Sequence, residues 1–232
     1  MPVQARLQDP LLMVIYLHGF ASSSHSGKAS YFGERLQKRG VRFLAPDLNL
    51  PDFSTLTVTR MVEQTGALLE KPAFAEAAAG KGGVTLIGSS LGAFVAVNAA
   101  VRWPDRVGRL VLMAPALDFG DDGVKGPGGA DIAAWKAAGQ LNVFHFAYGR
   151  MMPVHYELYA DARRYDAMGA DLKMPILVFQ GRRDTAVDPA TVEAWSRRRP
   201  NVELHMLDDD HQLTASLPYL WDATSRFLDS PL

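Results

Sequence analysis

The residues Gly88-Ser89-Ser90-Leu91-Gly92 follow the β-branched apolar run Val84-Thr85-Leu86-Ile87 and precede the small apolar run Ala93-Phe94-Val95-Ala96-Val97-Asn98-Ala99-Ala100. This G-x-S-x-G pattern puts Ser90 on a sharp strand-to-helix turn, which closes only if the residues two before and two after it are small. The chemistry open to such a serine is attack on a carbonyl carbon. A free hydroxyl is too weak a nucleophile near neutral pH, so the reaction needs a base, and the base needs a carboxylate to fix its tautomer and stabilise the imidazolium. Both occur downstream. The buried-strand run Ile176-Leu177-Val178-Phe179-Gln180, entered through Pro175, leads into Gly181-Arg182-Arg183-Asp184, and the strand pattern over 202–207 leads into the polar loop Asp208-Asp209-Asp210-His211. Ser90 as nucleophile, His211 as base and Asp184 as acid are the candidate catalytic residues.

Each has a rival. Ser89 neighbours Ser90 but stands one position off the glycine spacing. Asp188 precedes Pro189 and a helical stretch, the expected N-cap and first helical residue, which makes it structural. Asp118, after the strand ending near Met113, is a second alternative acid of lower weight. Among the histidines, His205 falls inside a strand and belongs to a sheet face. His25 lies in a serine-rich stretch, and His145 and His155 precede the acid in sequence. His211 alone combines the required order with a loop setting.

Around these positions, strand and helix patterns alternate as a parallel sheet with crossover helices requires. Strands are expected at 12–17, 41–45, 84–87, 110–114, 176–180 and 202–207. The spacing predicts helices over 28–39, stopped by Gly40, over 58–70, from Leu91 onward, and over 219–228, where Leu220, Phe227 and Leu228 turn inward. Residues 73–83 read as a small flexible connection. No internal repeat is present.

The motifs together resemble the α/β-hydrolase superfamily, and within it the small bacterial serine esterases of the YqiA type. Tyr16-Leu17-His18-Gly19-Phe20 is similar to the family's H-G loop after an early strand, and Trp103-Pro104-Asp105-Arg106-Val107 with 110–115 is similar to the strand after the nucleophile helix. The order Ser, Asp, His is also the family's. The resemblance implies a single α/β domain spanning 1–232, with a trimmed, mainly parallel sheet flanked by helices. Only about ten residues precede the first strand, so the antiparallel edge strands of larger members are expected to be missing, leaving roughly six. It also implies an oxyanion hole made by the N–H groups of Phe20 and Leu91, whose loss typically costs about 3 kcal/mol of transition-state stabilisation, with His18 bracing the loop.

In this fold the segment between the strands at 110–114 and 176–180 carries a lid, here about 117–170. Its turn-rich start, 120–129, reads as either a hinge or a plain loop. Trp135, Leu141, Val143, Phe144, Phe146, Tyr148, Met151, Met152, Tyr156 and Tyr159 give it an apolar character suited to an acyl or aromatic group. About half of these are expected to form the segment's own core. Trp135, Phe144, Phe146, Met151 and Met152 are the candidate substrate-binding residues.

Composition narrows the classes. With 48% hydrophobic residues and a formal charge of −1, the chain suits neither disorder nor a polyanion surface, and nucleic acid is not an expected partner. The absence of cysteine excludes disulfides, thiolate metal sites and a cysteine nucleophile. Gly27-Lys28-Ala29 lacks the spacing and hydroxyl of a phosphate loop. Arg197-Arg198-Arg199 ends a helix and is expected to be solvated. No signal segment or membrane span is recognised, so a cytoplasmic monomer or homodimer is expected, acting on a small-molecule ester or acyl thioester without metal or cofactor. An epoxide or haloalkane hydrolase would need Asp in place of Ser90. Acyl transfer, amide hydrolysis, carbon–carbon cleavage and perhydrolysis use the same triad, and a non-catalytic binding protein is the reading from another class.

Overall fold

The computed structural model describes residues 12–72, 74 and 83–230. The strands are β1 (Met13–Leu17), β2 (Arg42–Leu44), β3 (Val84–Ser89), β4 (Val107–Met113), β5 (Gln140–His145), β6 (Arg150–His155), β7 (Ile176–Gly181) and β8 (Val202–Leu207). Six form one sheet in the order β2-β1-β3-β4-β7-β8, and every neighbouring pair runs parallel. Six strands, mainly parallel as expected from the sequence, are thus found among the described residues. β5 and β6 pair only with each other, as an antiparallel hairpin.

The period of two along each strand sorts side chains to the two faces. Met13, Ile15 and Leu17 of β1, with Leu86, Leu110, Leu112, Ile176 and Val178, share one buried cluster with helices α2 (Val58–Leu69), α3 (Leu91–Arg102) and α6 (Pro189–Arg197). Val14, Tyr16, Ile87, Val111, Met113, Leu177 and Phe179 share the other with α1 (Gly27–Lys38) and α7 (Leu217–Asp229). Burial on both faces is why the central strands read as unbroken apolar runs. β2, at an edge, is three residues long and partly exposed, which limits the unpaired ladder it offers.

Helix starts are written locally. Ser26 accepts from the Ala29 N–H, Thr57 from Arg60, and Asp188 from Ala190 with Pro189 at the first helical position. Asp188 is therefore a cap, as its sequence setting indicated. The expected connection at 73–83 falls almost wholly outside the described residues. Of the three arginines expected in solvent, Arg197 pairs with Glu193, but Arg199 turns inward and donates to the carbonyls of Trp195, Met168 and Ala170. Those carbonyls need donors, and no local pattern marks that the chain before β7 folds back to meet that helix end.

Residues 117–170 begin with turns, then form α4 (Ile132–Ala138), the β5–β6 hairpin and α5 (Glu157–Ala162). The hairpin alternates, with Leu141, Val143 and His145 facing inward while Gln140, Asn142 and Phe144 face out. Trp135 departs from its expected role. Its indole is 2% exposed, donates to the Val154 carbonyl and packs edge-on against Tyr156, so it is core and unavailable to a substrate. Met152 packs partly buried on the same core, whereas Phe144, Phe146, Tyr148 and Met151 are exposed.

The segment is tied to the sheet's helices by a carboxylate. Asp161, 6% exposed, accepts from the Thr59 N–H at 2.6 Å and from the Thr59 hydroxyl at 2.8 Å, and so caps the start of α2 from a distance. Asp161→Ala leaves that N–H buried without an acceptor, a loss of about 1–3 kcal/mol. For a chain of this size the thermal midpoint is expected to fall by roughly 3–8 °C in calorimetry. An unchanged midpoint would show that the two parts are held elsewhere.

Candidate active site

β1, β3, β7 and β8 all end at the same edge of the sheet, so the loops that leave them converge. The turn after β3 holds Ser90 at φ 53°, ψ −118°, a left-handed conformation that a non-glycine residue adopts only under constraint. Two glycines permit it. A Cβ on Gly88 would lie 2.5 Å from the Ala93 Cα, and one on Gly92 would lie 2.1 Å from the Leu17 carbonyl oxygen. The first turn of α3 therefore presses directly on the end of β1, and Gly19, in the loop that follows, sits against Ser89 and Ser90. Ser89 itself is buried, and Ser90 is partly exposed.

On the other side, the loops after β7 and β8 touch through their backbones. A Cβ on Gly181 would meet the Asp210 carbonyl oxygen at 2.5 Å, and the Arg183 N–H donates to the Asp209 carbonyl. Asp184 is buried at this junction. One of its oxygens accepts from the Ala186 and Val187 N–H groups, both at 2.9 Å; the other accepts from the Gln180 amide at 3.0 Å and faces His211 Nδ1 at 2.8 Å. Burial works to raise the Asp184 carboxyl, but the hydrogen bonds from His211, the Val187 N–H and Gln180 outweigh it, and the group lies below its ordinary value. An ionised Asp184 can only accept, so Nδ1 carries the imidazole proton and Nε2 presents its lone pair. That Nε2 lies 3.1 Å from Ser90 Oγ.

The three residues singled out by order and spacing thus form one hydrogen-bonded line. Asp118, which carries no hydrogen bond to His211 among the described residues, stands apart and is raised by burial and by the charges of Asp121 and Asp188. His205 bonds Tyr219 and Glu203 on the β8 sheet face. His18 is buried. Its Nε2 accepts from the Leu48 N–H at 2.9 Å and its Nδ1 donates to the Gly19 carbonyl, which ties the loop after β1 to the one after β2. Burial lowers His18 from its ordinary value, against the Gly19 carbonyl and Asp47, and keeps the ring neutral. Among the described residues neither the Phe20 nor the Leu91 N–H has a protein acceptor. Both are adjacent to this edge, and Leu91 opens α3, where the dipole favours negative charge.

Sequence reasoning passed over Gln180 and His145. Gln180 is fully buried at the end of β7, and the signal was a lone amide closing an apolar run. His145, also fully buried, packs edge-on against Phe53 at 4.6 Å and flat on Tyr148; Phe53 in turn packs on Phe20. The Phe146 N–H donates to the Ala21 carbonyl at 2.9 Å, so the tip of the β5–β6 hairpin rests on the loop that carries Phe20. Of the candidate substrate-binding residues, Phe144, Phe146 and Met151 cluster on this tip. Phe144 and Phe146 meet edge to face at 5.4 Å, and Met151 is the cross-strand partner of Phe144.

Because Asp184 is held below the ordinary 3.8, its contribution to stability is present above that value and is lost as pH falls through the folded one. Asp184→Asn has no carboxylate to protonate. Urea unfolding is expected to find the wild type more stable by on the order of 2 kcal/mol at pH 7, with the gap closing below pH of about 4. A gap independent of pH would show that the carboxylate charge is not what the site stabilises.

Comparison with known proteins follows the same lines. The profile of an uncharacterised protein family, UPF0227, matches residues 13–228. No curated protein matches the chain. Est1E from Butyrivibrio proteoclasticus, solved with ferulic acid bound, is 20% identical with a TM-score of 0.77, covering 94% of this chain and 88% of its own. A monoacylglycerol lipase from Paleococcus ferrophilus is 17% identical with a TM-score of 0.74 and 95% coverage of both chains. Mouse alpha/beta hydrolase domain-containing protein 10 is 18% identical with a TM-score of 0.72, covering 94% of this chain and 89% of its own. No helix among the described residues is long and apolar enough to cross a membrane. Matched along nearly its whole described length, the chain belongs to family UPF0227 and has the α/β-hydrolase fold.

Proposed function

We propose that the protein is a serine hydrolase that cleaves a carboxylic ester or acyl thioester through an acyl-enzyme. The observation that carries this is the continuous line from Ser90 Oγ to His211 at 3.1 Å and from His211 to Asp184 at 2.8 Å. His211 Nε2 takes the Ser90 proton as Oγ attacks the carbonyl carbon. The developing oxyanion is held by the N–H groups of Phe20 and Leu91. His211 then returns the proton to the leaving alcohol or thiol, and the acyl group stays on Ser90. Water, deprotonated by the same nitrogen, attacks in the second half-reaction, and His211 returns that proton to Ser90 Oγ as the acid leaves. Asp184 stays ionised throughout and stabilises the imidazolium. A binding protein would have no use for a strained serine aligned with a tautomer-fixed histidine, which weighs against the non-catalytic reading.

For the substrate, the exposed Phe144, Phe146 and Met151 at the hairpin tip give an apolar platform beside the Phe20 loop, with residues 117–170 acting as the lid of a single domain. Two structural neighbours bear on this. One is a monoacylglycerol lipase and one was captured with ferulic acid, and an apolar or aromatic acyl group suits both them and this platform. The reaction as written needs no metal, cofactor or nucleic acid, and we place the enzyme in the cytoplasm as a monomer or homodimer.

A fluorophosphonate probe is expected to label Ser90 stoichiometrically, to leave Ser90→Ala unlabelled, and to react with His211→Ala at least about 100-fold more slowly. A folded wild type that resists labelling would refute the hydrolase reading. Across p-nitrophenyl esters, kcat/KM is expected to climb from acetate towards medium chains by roughly twofold to fourfold per methylene, and Phe146→Ala to flatten the climb. A maximum at acetate would remove the apolar platform from the substrate site.

A further inference from the structure

The loop that carries His211, residues 208–216, has no regular structure to hold it. Much of its curl is its own. Asp209 accepts from the Asp210 and Ser216 N–H groups, Asp210 accepts from Gln212, and Leu213 takes a left-handed φ of 54°. Arg183 fixes it from the acid side, through its N–H to the Asp209 carbonyl and its guanidinium to Asp208. From the side of α1 comes, among the described residues, one long-range hydrogen bond: Lys28 Nζ donates to the Gln212 carbonyl at 2.6 Å.

Lys28 is the second residue of α1, whose cap, Ser26, ends the stretch that begins at His18. A cation there opposes the positive end of the helix dipole, so ordinary helix electrostatics does not explain it. Three carboxylates do. Asp210, Asp209 and Asp184 all act on the half-buried ammonium, and burial nevertheless brings it down to about 8.

Taking Ser90, His211 and Asp184 in the roles given above, we propose that Lys28 is a positioning residue for catalysis: by holding the carbonyl next to His211, it keeps the imidazole in line between Asp184 and Ser90. The bond joins the start of α1, which follows the oxyanion-side loop, to the base-side loop. Without it the His211 loop loses its polar tie on this side, where Leu213 packs in the core cluster shared with α1, and displacements on the order of 1 Å at a reacting group cost up to about 100-fold in rate. Lys28 touches neither Ser90 nor the imidazole, so its effect falls on the alignment of the ring and leaves substrate binding alone.

The test compares Lys28→Met, Lys28→Gln and Lys28→Arg with the wild type, using p-nitrophenyl ester turnover and the low-field proton resonance of the His211 to Asp184 hydrogen bond. In Lys28→Met, kcat is expected to fall about 10- to 100-fold with KM within about twofold, while the resonance broadens through faster exchange. Lys28→Arg, which restores a charged donor, is expected to recover most of both, and Lys28→Gln, a neutral donor, to lie between. If Lys28→Met does not fold, the Gln variant replaces it in the comparison. An unchanged kcat, or a lost kcat with a sharp resonance, overturns the positioning role. Failure of the hydrolase reading itself would appear separately, as a wild type without turnover or labelling, and the resonance would still decide what Lys28 does.

Discussion

Backbone contact at the carboxyl edge of the sheet is the constraint on which the site rests. Parallel strands deliver their connecting loops to one edge, but side chains of ordinary size would hold those loops several ångströms apart. Here two of the approaches leave no room for even a β-carbon: Gly92 against the Leu17 carbonyl, at 2.1 Å for a built Cβ, and Gly181 against the Asp209 and Asp210 carbonyls, at 2.5–2.6 Å. The first brings the His18 to Phe20 loop beside Ser90. The second brings the loop of Asp184 beside that of His211. With both in place, three side chains of ordinary length span the gap between distant parts of the chain, and the left-handed Ser90 is the local strain that the arrangement sustains.

Electrostatics then decides direction. A carboxylate buried without donors would protonate and lose its hold on the imidazole. Asp184 avoids this because four donors converge on it, two from the turn that it helps to close at Ala186 and Val187, one from Gln180 and one from His211. Desolvation is the largest single influence on the carboxyl, yet it loses to the sum of the bonds. The proton on Nδ1 and the lone pair towards Ser90 follow from that balance. A similar logic keeps His18 neutral, where the Leu48 N–H occupies the nitrogen that a second proton would need.

The sheet and the line of Ser90, Asp184 and His211 were legible in the sequence because each is written in short-range signals. The strands are apolar runs with turn residues at their ends, Gly88 and Gly92 flank the serine at fixed spacing, and chain order separates His211 from the other histidines. What escaped was written in side-chain partners that no local pattern marks. Gln180 and Lys28 act on residues that the sequence places four and 184 positions away, and a lone amide or lysine carries no mark of its acceptor. The β5–β6 hairpin was missed for a different reason. Its alternating residues read for their chemistry as an apolar set, and the period of two that makes them a hairpin also turns Leu141 and Val143 partly inward while leaving Phe144 outside.

That division within residues 117–170 has a physical consequence for the mouth of the site. Among the described residues the segment's polar attachments are specific: Asp161 and Tyr165 meet Thr59 at the start of α2, the His155 N–H meets the Ser54 carbonyl, Trp195 and Arg199 donate to the carbonyls of Ala167, Met168 and Ala170, and the Phe146 N–H meets the Ala21 carbonyl. All but the last join the segment to α2, the loop before it or the end of α6. The last lies at the tip, next to exposed Phe144, Phe146 and Met151, and is backed by buried His145 packing on Phe53. A backbone hydrogen bond contributes on the order of 1 kcal/mol net, and the root carries several polar ties where the tip carries one. The polar hold on the segment is thus concentrated at its root, while the tip meets the Phe20 loop through one hydrogen bond and aromatic packing, over a loop that His18 ties to the one after β2.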